Sequence, residues 1–87
     1  MLYVYLIQSS RTGKIYIGYT NDLRTRLADH NWGRSRATKA YAPYALVYYE
    51  AYRVRSDAMR RERKLKDFKQ SYTRLRERIG ASLDGQN

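Results

Sequence analysis

The chain contains no cysteine, which excludes disulfides and thiolate metal sites. It has a single histidine, so a histidine-rich zinc site is excluded too. Acidic residues are scarce: eight Asp and Glu stand against eighteen Lys and Arg. No run approaches the ~18 consecutive apolar residues of a membrane span. The opening Met1-Leu2-Tyr3-Val4-Tyr5 has neither the basic flank nor the apolar stretch of a signal peptide. A cytoplasmic location without membrane partners is therefore expected. Neither a G-x-x-x-x-G-K-[ST] phosphate loop nor a glycine-rich dinucleotide fingerprint is present. No Ser-His-Asp arrangement can be read either.

What is abundant is positive charge and tyrosine. The formal net charge is +10, and tyrosine supplies ten aromatic residues against one tryptophan and one phenylalanine. A positive field concentrates polyanions and speeds their capture. Each phosphate neutralised releases counterions, which makes such binding steeply salt dependent. A basic surface kept only for solubility is the plainer reading of the same numbers. The 87 residues make one domain, over 1–80, with a frayed tail over 81–87. A domain of this size buries roughly 60% of the surface its unfolded chain exposes, so the core is thin and a monomer or weak homodimer is expected.

Leu2 to Gln8 is β-branched and aromatic, the composition of a buried strand. The polar turn Ser9-Ser10-Arg11-Thr12-Gly13 follows, and Lys14 to Tyr19 predicts a second strand paired to the first as an antiparallel hairpin. Thr20 or Asn21 can cap a helix over 22–30, with Asp22 at its positive end and Leu23 and Leu27 on its inward stripe. Residues 31–43 read as a basic loop containing Trp32, Gly33, Arg34, Arg36, Lys39 and the only proline, Pro43. Tyr44 to Tyr52 predicts a third strand. Ser56 caps a second helix running to Phe68, and Ser71 starts a third that ends at Gly80. The order β-β-α-β-α-α predicts an α+β domain with a small three-stranded antiparallel sheet flanked by helices.

Alternation along the hairpin can place Tyr5 and Tyr16 on one sheet face, beside Gly18, whose missing side chain leaves that face open. Such a pair is also ordinary strand packing. Arg26 and His30 are four apart and share a helical face away from Leu23 and Leu27. Together they can hold a phosphate and move a proton, or they are simply solvated. Glu62 stands within the apolar stripe Ala58, Met59, Leu65, Phe68, with Arg60, Arg61, Arg63 and Lys64 as sequence neighbours. A buried unpaired charge costs several kcal/mol, so this carboxylate needs a partner. A salt bridge to Lys66 or to an arginine on the sheet satisfies it. A hard divalent cation such as Mg²⁺, which takes one or two carboxylates plus water and substrate oxygens, does so as well.

These residues together resemble the GIY-YIG nuclease domain family over about 2–69, in the form of its short stand-alone bacterial members. The second family motif stands as Tyr16-Ile17-Gly18, and the first as Tyr3-Val4-Tyr5, its glycine replaced and its tyrosine kept. Within Asn21-Asp22-Leu23-Arg24-Thr25-Arg26-Leu27-Ala28-Asp29-His30 the family's arginine falls on Arg26 and its histidine on His30. The stretch from Ala58 to Lys66 places the family's metal-binding glutamate on Glu62. The late asparagine of many members has no counterpart between Asn31 and Asn87.

The resemblance implies metal-dependent hydrolysis of a DNA phosphodiester, with RNA left open as a substrate. Glu62 would hold Mg²⁺ or Mn²⁺, and Arg26 would neutralise the non-bridging oxygens. Tyr5 or Tyr16 would orient and deprotonate the attacking water, and His30 would share a proton or steady the tyrosine. A free tyrosine has a pKa near 10, so nearby cations must help. Arg34, Arg36 and Lys39 in the loop, with Arg63, Lys64 and Lys66 on the second helix, would track the backbone. Backbone contacts specify no sequence, so selection of a DNA structure, as in repair or recombination, is expected. Two other readings compete: a non-catalytic module stacking single strands on its tyrosines, and a protein docking its basic helices on an acidic partner. The first leaves the inward Glu62 unexplained, and the second predicts salt-sensitive protein binding with no effect of Mg²⁺.

Overall fold

The computed structural model describes residues 1–83. Strand β1 (Leu2–Ser9) pairs antiparallel with β2 (Ile15–Thr20) and with β3 (Tyr44–Tyr52), so the sheet order is β2-β1-β3. Helices α1 (Leu23–Asn31), α2 (Arg55–Asp67), α3 (Lys69–Arg78) and the short α4 (Gly80–Leu83) complete the α+β domain. The most apolar segment is thus the central strand, buried on both faces. Val4 and Leu6 point to one side, packing with Ala58, Leu65 and Leu75 of α2 and α3. Tyr5 and Ile7 point to the other, packing with Tyr44 and with Leu23 and Leu27 of α1. Each fully buried aliphatic side chain contributes about 1.5–3 kcal/mol.

The hairpin register sets Tyr5 opposite Gly18 and Ile7 opposite Tyr16. Its turn is closed by Gly13 at φ 76°, a conformation glycine adopts without a Cβ penalty. The Ser9 hydroxyl accepts from the Arg11 and Thr12 amides at 3.1 Å each and donates to the Tyr41 carbonyl at 2.6 Å. The turn is therefore fastened to the loop that precedes β3.

Several boundaries differ from expectation. Asp22, rather than Thr20 or Asn21, caps α1: its carboxylate accepts from the Thr25 amide at 3.1 Å and from the Thr25 hydroxyl at 2.9 Å. Ser56 lies inside α2, whose cap position Val54 makes no side-chain bond. Met59 and Phe68 are exposed, not inward. The inward face centres on Ala58 and Leu65, with Arg61 paired to the sheet between them and Met59 at the rim. Phe68 is the extended residue that breaks the chain between α2 and α3. That break lets α3 begin at Lys69, ahead of Ser71. Gly80 opens a further turn instead of ending the fold, and Leu83 is 5% exposed. Residues 81–83 of the expected tail therefore dock, while 84–87 lie outside the described residues.

Candidate active site

Tyr5 reaches the site from the middle of β1, and a close backbone approach makes room for it. A Cβ on Gly18 would lie 2.5 Å from the Tyr5 hydroxyl oxygen and 2.7 Å from Cζ. Gly18 therefore accommodates the Tyr5 ring; it does not leave an open face.

The Tyr5 hydroxyl lies 2.9 Å from His30 Nε2, and His30 Nδ1 lies 2.6 Å from the Thr38 hydroxyl. All three residues are buried, His30 and Thr38 completely. With both ring nitrogens bonded, the imidazole is fixed in orientation. Burial, reinforced by the Arg26 charge, pushes the His30 pKa down to about 4, against a weaker pull from Asp29. His30 is therefore neutral at physiological pH. Burial also raises the Tyr5 phenol above its ordinary value; Arg26 opposes this, while Tyr16 and Glu62 add to it. Tyr5 accordingly remains a phenol near pH 7.

Tyr16, half-buried on the edge strand β2, packs its ring 5.0 Å from the His30 ring and 6.5 Å from that of Tyr5. The ammonium of Lys66 lies 5.8 Å from the Tyr16 ring centre and 3.3 Å from Glu62 Oε2. Glu62 has a side chain 19% exposed, and Lys66 is its one salt-bridge partner among the described residues. Arg26, one turn before His30 on α1, lies 3.9 Å from Asp29, a loose pair whose carboxylate is held more closely by Arg34 at 2.8 Å. Tyr5, His30, Tyr16, Lys66 and Glu62 are thus linked contact by contact beside the hairpin, and the charges of Arg26 and Glu62 both act on the Tyr5 phenol.

The remaining predicted contacts lie outside this cluster. Arg34, Arg36 and Lys39 are exposed on the 31–43 loop, and Arg63 and Lys64 on the outer face of α2. Among the described residues no three His, Asp or Glu side chains gather as a metal cage. A single carboxylate does fit an ion that completes its shell with water and phosphate oxygens, as Mg²⁺ and Mn²⁺ do.

Two features were missed from sequence. Thr38 had no signal: it is one small polar residue in a loop. Glu50 did have one. Tyr48, Glu50 and Tyr52 alternate onto one face of β3, so the carboxylate there stands between two tyrosines. Glu50 accepts from Tyr48 at 2.6 Å, from Tyr52 at 2.5 Å, and from Arg61 Nε and Nη2 at 2.9 Å each. Burial pushes its carboxyl up, but the bonds from Arg61 and the two tyrosines outweigh this and hold it below the usual range. Burial and the Glu50 charge push Tyr52 up to about 12.

The GIY-YIG catalytic domain profile matches residues 1–76, and the chain belongs to that family. Among its relatives, a UPF0213 protein of Staphylococcus haemolyticus is 40% identical over 67 residues, covering 76% of this chain and 80% of the relative. A UPF0213 protein of Staphylococcus aureus is 37% identical over the same length and shares. No solved structure matches the chain. Family membership supports endonuclease activity on nucleic acid. No helix among the described residues is long and apolar enough to cross a membrane.

Proposed function

We propose that this protein is a divalent-metal-dependent endonuclease that hydrolyses phosphodiester bonds in DNA, selecting structure over sequence, in repair or recombination. The observation that carries the reading is a linked cluster: Tyr5 bonds His30, the Tyr16 ring packs on His30, and Lys66 lies over Tyr16 while pairing with Glu62, a half-buried carboxylate with no other salt-bridge partner among the described residues. Glu62 holds Mg²⁺ or Mn²⁺, which when bound supplies Lewis-acid stabilisation of charge on the phosphate and the leaving oxygen. Arg26, with a side chain 36% exposed, meets the non-bridging oxygens as they gain charge.

The two tyrosines divide the remaining work by their surroundings. Tyr5, 2% exposed and bonded to a neutral histidine, is the positioning member. Tyr16 is half-buried on the open edge of the sheet, so it orients the attacking water and, as a phenolate, takes its proton. The water oxygen then bonds to phosphorus as the bond to the leaving oxygen breaks.

The test is incubation of the purified protein with labelled nicked, branched, single-stranded and duplex DNA, and with RNA. Mg²⁺, Mn²⁺ or chelator is supplied, beside Glu62→Gln and Tyr16→Phe variants. Metal-dependent cleavage is expected from the parent, reduced at least about a thousandfold in Glu62→Gln while folding and DNA binding persist. Tight binding with no cleavage under any divalent ion would make the protein a binding module on a nuclease frame.

A further inference from the structure

Across the edge strand from Tyr16 lies a groove of about 410 Å³, between the hairpin turn and helices α2 and α3. Ile15, Ile17 and Leu65 form its floor and Tyr72 part of its wall. Every charged residue lining it is a cation: Lys14, Lys66 and Arg76. The Arg76 guanidinium lies 5.8 Å from the Tyr72 ring centre, and the Lys14 ammonium 5.1 Å from that of Tyr41. Alternation explains the placement. Tyr16 points to the candidate active site while its neighbours Ile15 and Ile17 point to the opposite side of the sheet. Lys66 belongs to both places, since its ammonium contacts Glu62 and lies over Tyr16 while the residue lines the groove.

An apolar floor with an aromatic wall and a rim of cations suits bases on the inside and phosphates on the outside. Duplex DNA keeps its bases stacked away from such a surface; an unpaired strand does not. The volume falls in the range of about 300–1,000 Å³ typical of sites for compact ligands. We propose that this groove receives a single-stranded arm of the substrate DNA, which passes over the edge of β2 from the scissile phosphate by way of Lys66. This assignment rests on the nuclease reading above and adds Lys14, Tyr72 and Arg76 to the residues that meet nucleic acid. It also names the feature that structure selection reads: an unpaired arm next to the cut.

The experiment measures binding, in chelator, of a fluorescent duplex carrying a single-stranded arm and of the same duplex without it. The parent is compared with a Lys14→Ser/Arg76→Ser double variant and with Tyr72→Leu, and circular dichroism checks each fold. The double variant is expected to bind the armed duplex at least about tenfold more weakly. Its salt slope should fall by about 1.4, for two single-strand phosphate contacts, with plain duplex binding unchanged. Tyr72→Leu keeps an apolar wall but loses the stacking ring, and is expected to lose about fivefold or more on the armed duplex alone. Equal binding of the armed duplex by parent and variants would overturn the groove assignment, as would an equal loss on both substrates. If the parent still cleaves with Mg²⁺ in that case, the nuclease reading survives. Failure of the parent to bind or cleave either DNA would remove both.

Discussion

Each face of the sheet carries tyrosines gathered around a titratable group, and the two are finished differently. On the α2 side, Glu50 accepts four hydrogen bonds, two from tyrosines and two from Arg61, which exhausts its good acceptor positions. That cluster is charged and closed upon itself. On the α1 side, Tyr5, His30 and Thr38 form a neutral chain bordered by Tyr16, with the Arg26 charge acting on His30 and the Glu62 charge, from α2 beyond the sheet edge, acting on Tyr5. Here Glu62 meets one flexible lysine at 3.3 Å. The two carboxylates are therefore told apart by the acceptor positions each has left. A saturated carboxylate holds the fold together; an unsaturated one at a sheet edge is available to a metal ion.

The sharpest way to break this contrast is to neutralise each carboxylate in turn. Glu62→Gln is expected to cost at least about a thousandfold in cleavage, roughly 4 kcal/mol of barrier. Its unfolding free energy in urea should move by less than about 1 kcal/mol, since its partner is an exposed lysine. Glu50→Gln is expected to do the reverse. It leaves Arg61 without its counter-charge, so stability should fall by about 3 kcal/mol, while cleavage per folded molecule is kept. Loss of cleavage in a fully folded Glu50→Gln protein would contradict the division.

Acid should sharpen the contrast next. His30 has its pKa lowered from 6.5 to about 4 in the folded chain, so the unfolded chain binds more protons between those values. Its stabilisation is therefore whole above about pH 6.5 and is lost as pH falls toward 4. The loss should be on the order of 2–3 kcal/mol in urea titrations at stepped pH, and His30→Gln should flatten it. Glu50 and Asp22 are also held below their ordinary values, so their losses come lower on the pH scale.

A smaller effect is expected from Gly18→Ala. The new methyl meets the Tyr5 ring, so stability should fall by about 1–2 kcal/mol and the Tyr5–His30 bond should be disturbed. The histidine titration followed by NMR should then shift back toward its ordinary value. The mildest is Asp22→Ala, which removes the α1 cap for about 1 kcal/mol and should leave the Glu50 cluster untouched.

The sequence was most informative where periodicity and chemistry coincide. Alternation along β1 and β2 put Tyr5 and Tyr16 on one face, and a four-residue spacing put Arg26 and His30 on another element facing them. It was least informative where an ion pair decides orientation. On α2, Ala58 and Leu65 face the core and Arg61 pairs with Glu50, which leaves Met59 exposed although its apolarity argued for burial. Cap positions erred for a related reason. Thr20, Asn21 and Asp22 are all good caps, and only the path of the chain after β2 selects Asp22. Thr38 was invisible because its importance lies wholly in a contact with His30, eight residues back.

That contact changes the character of the basic loop. Residues 31–43 would be costly to organise if they were free, yet they are pinned at several points. The Asn31 side chain bonds the Tyr44 backbone at both its amide and carbonyl, Thr38 is locked on His30, and the Tyr41 carbonyl takes the Ser9 hydroxyl. Arg34, Arg36 and Lys39 are thus carried on a preorganised frame. The entropy of arranging that backbone is spent in folding, so little of it would be spent again if the loop were to meet a phosphate strand.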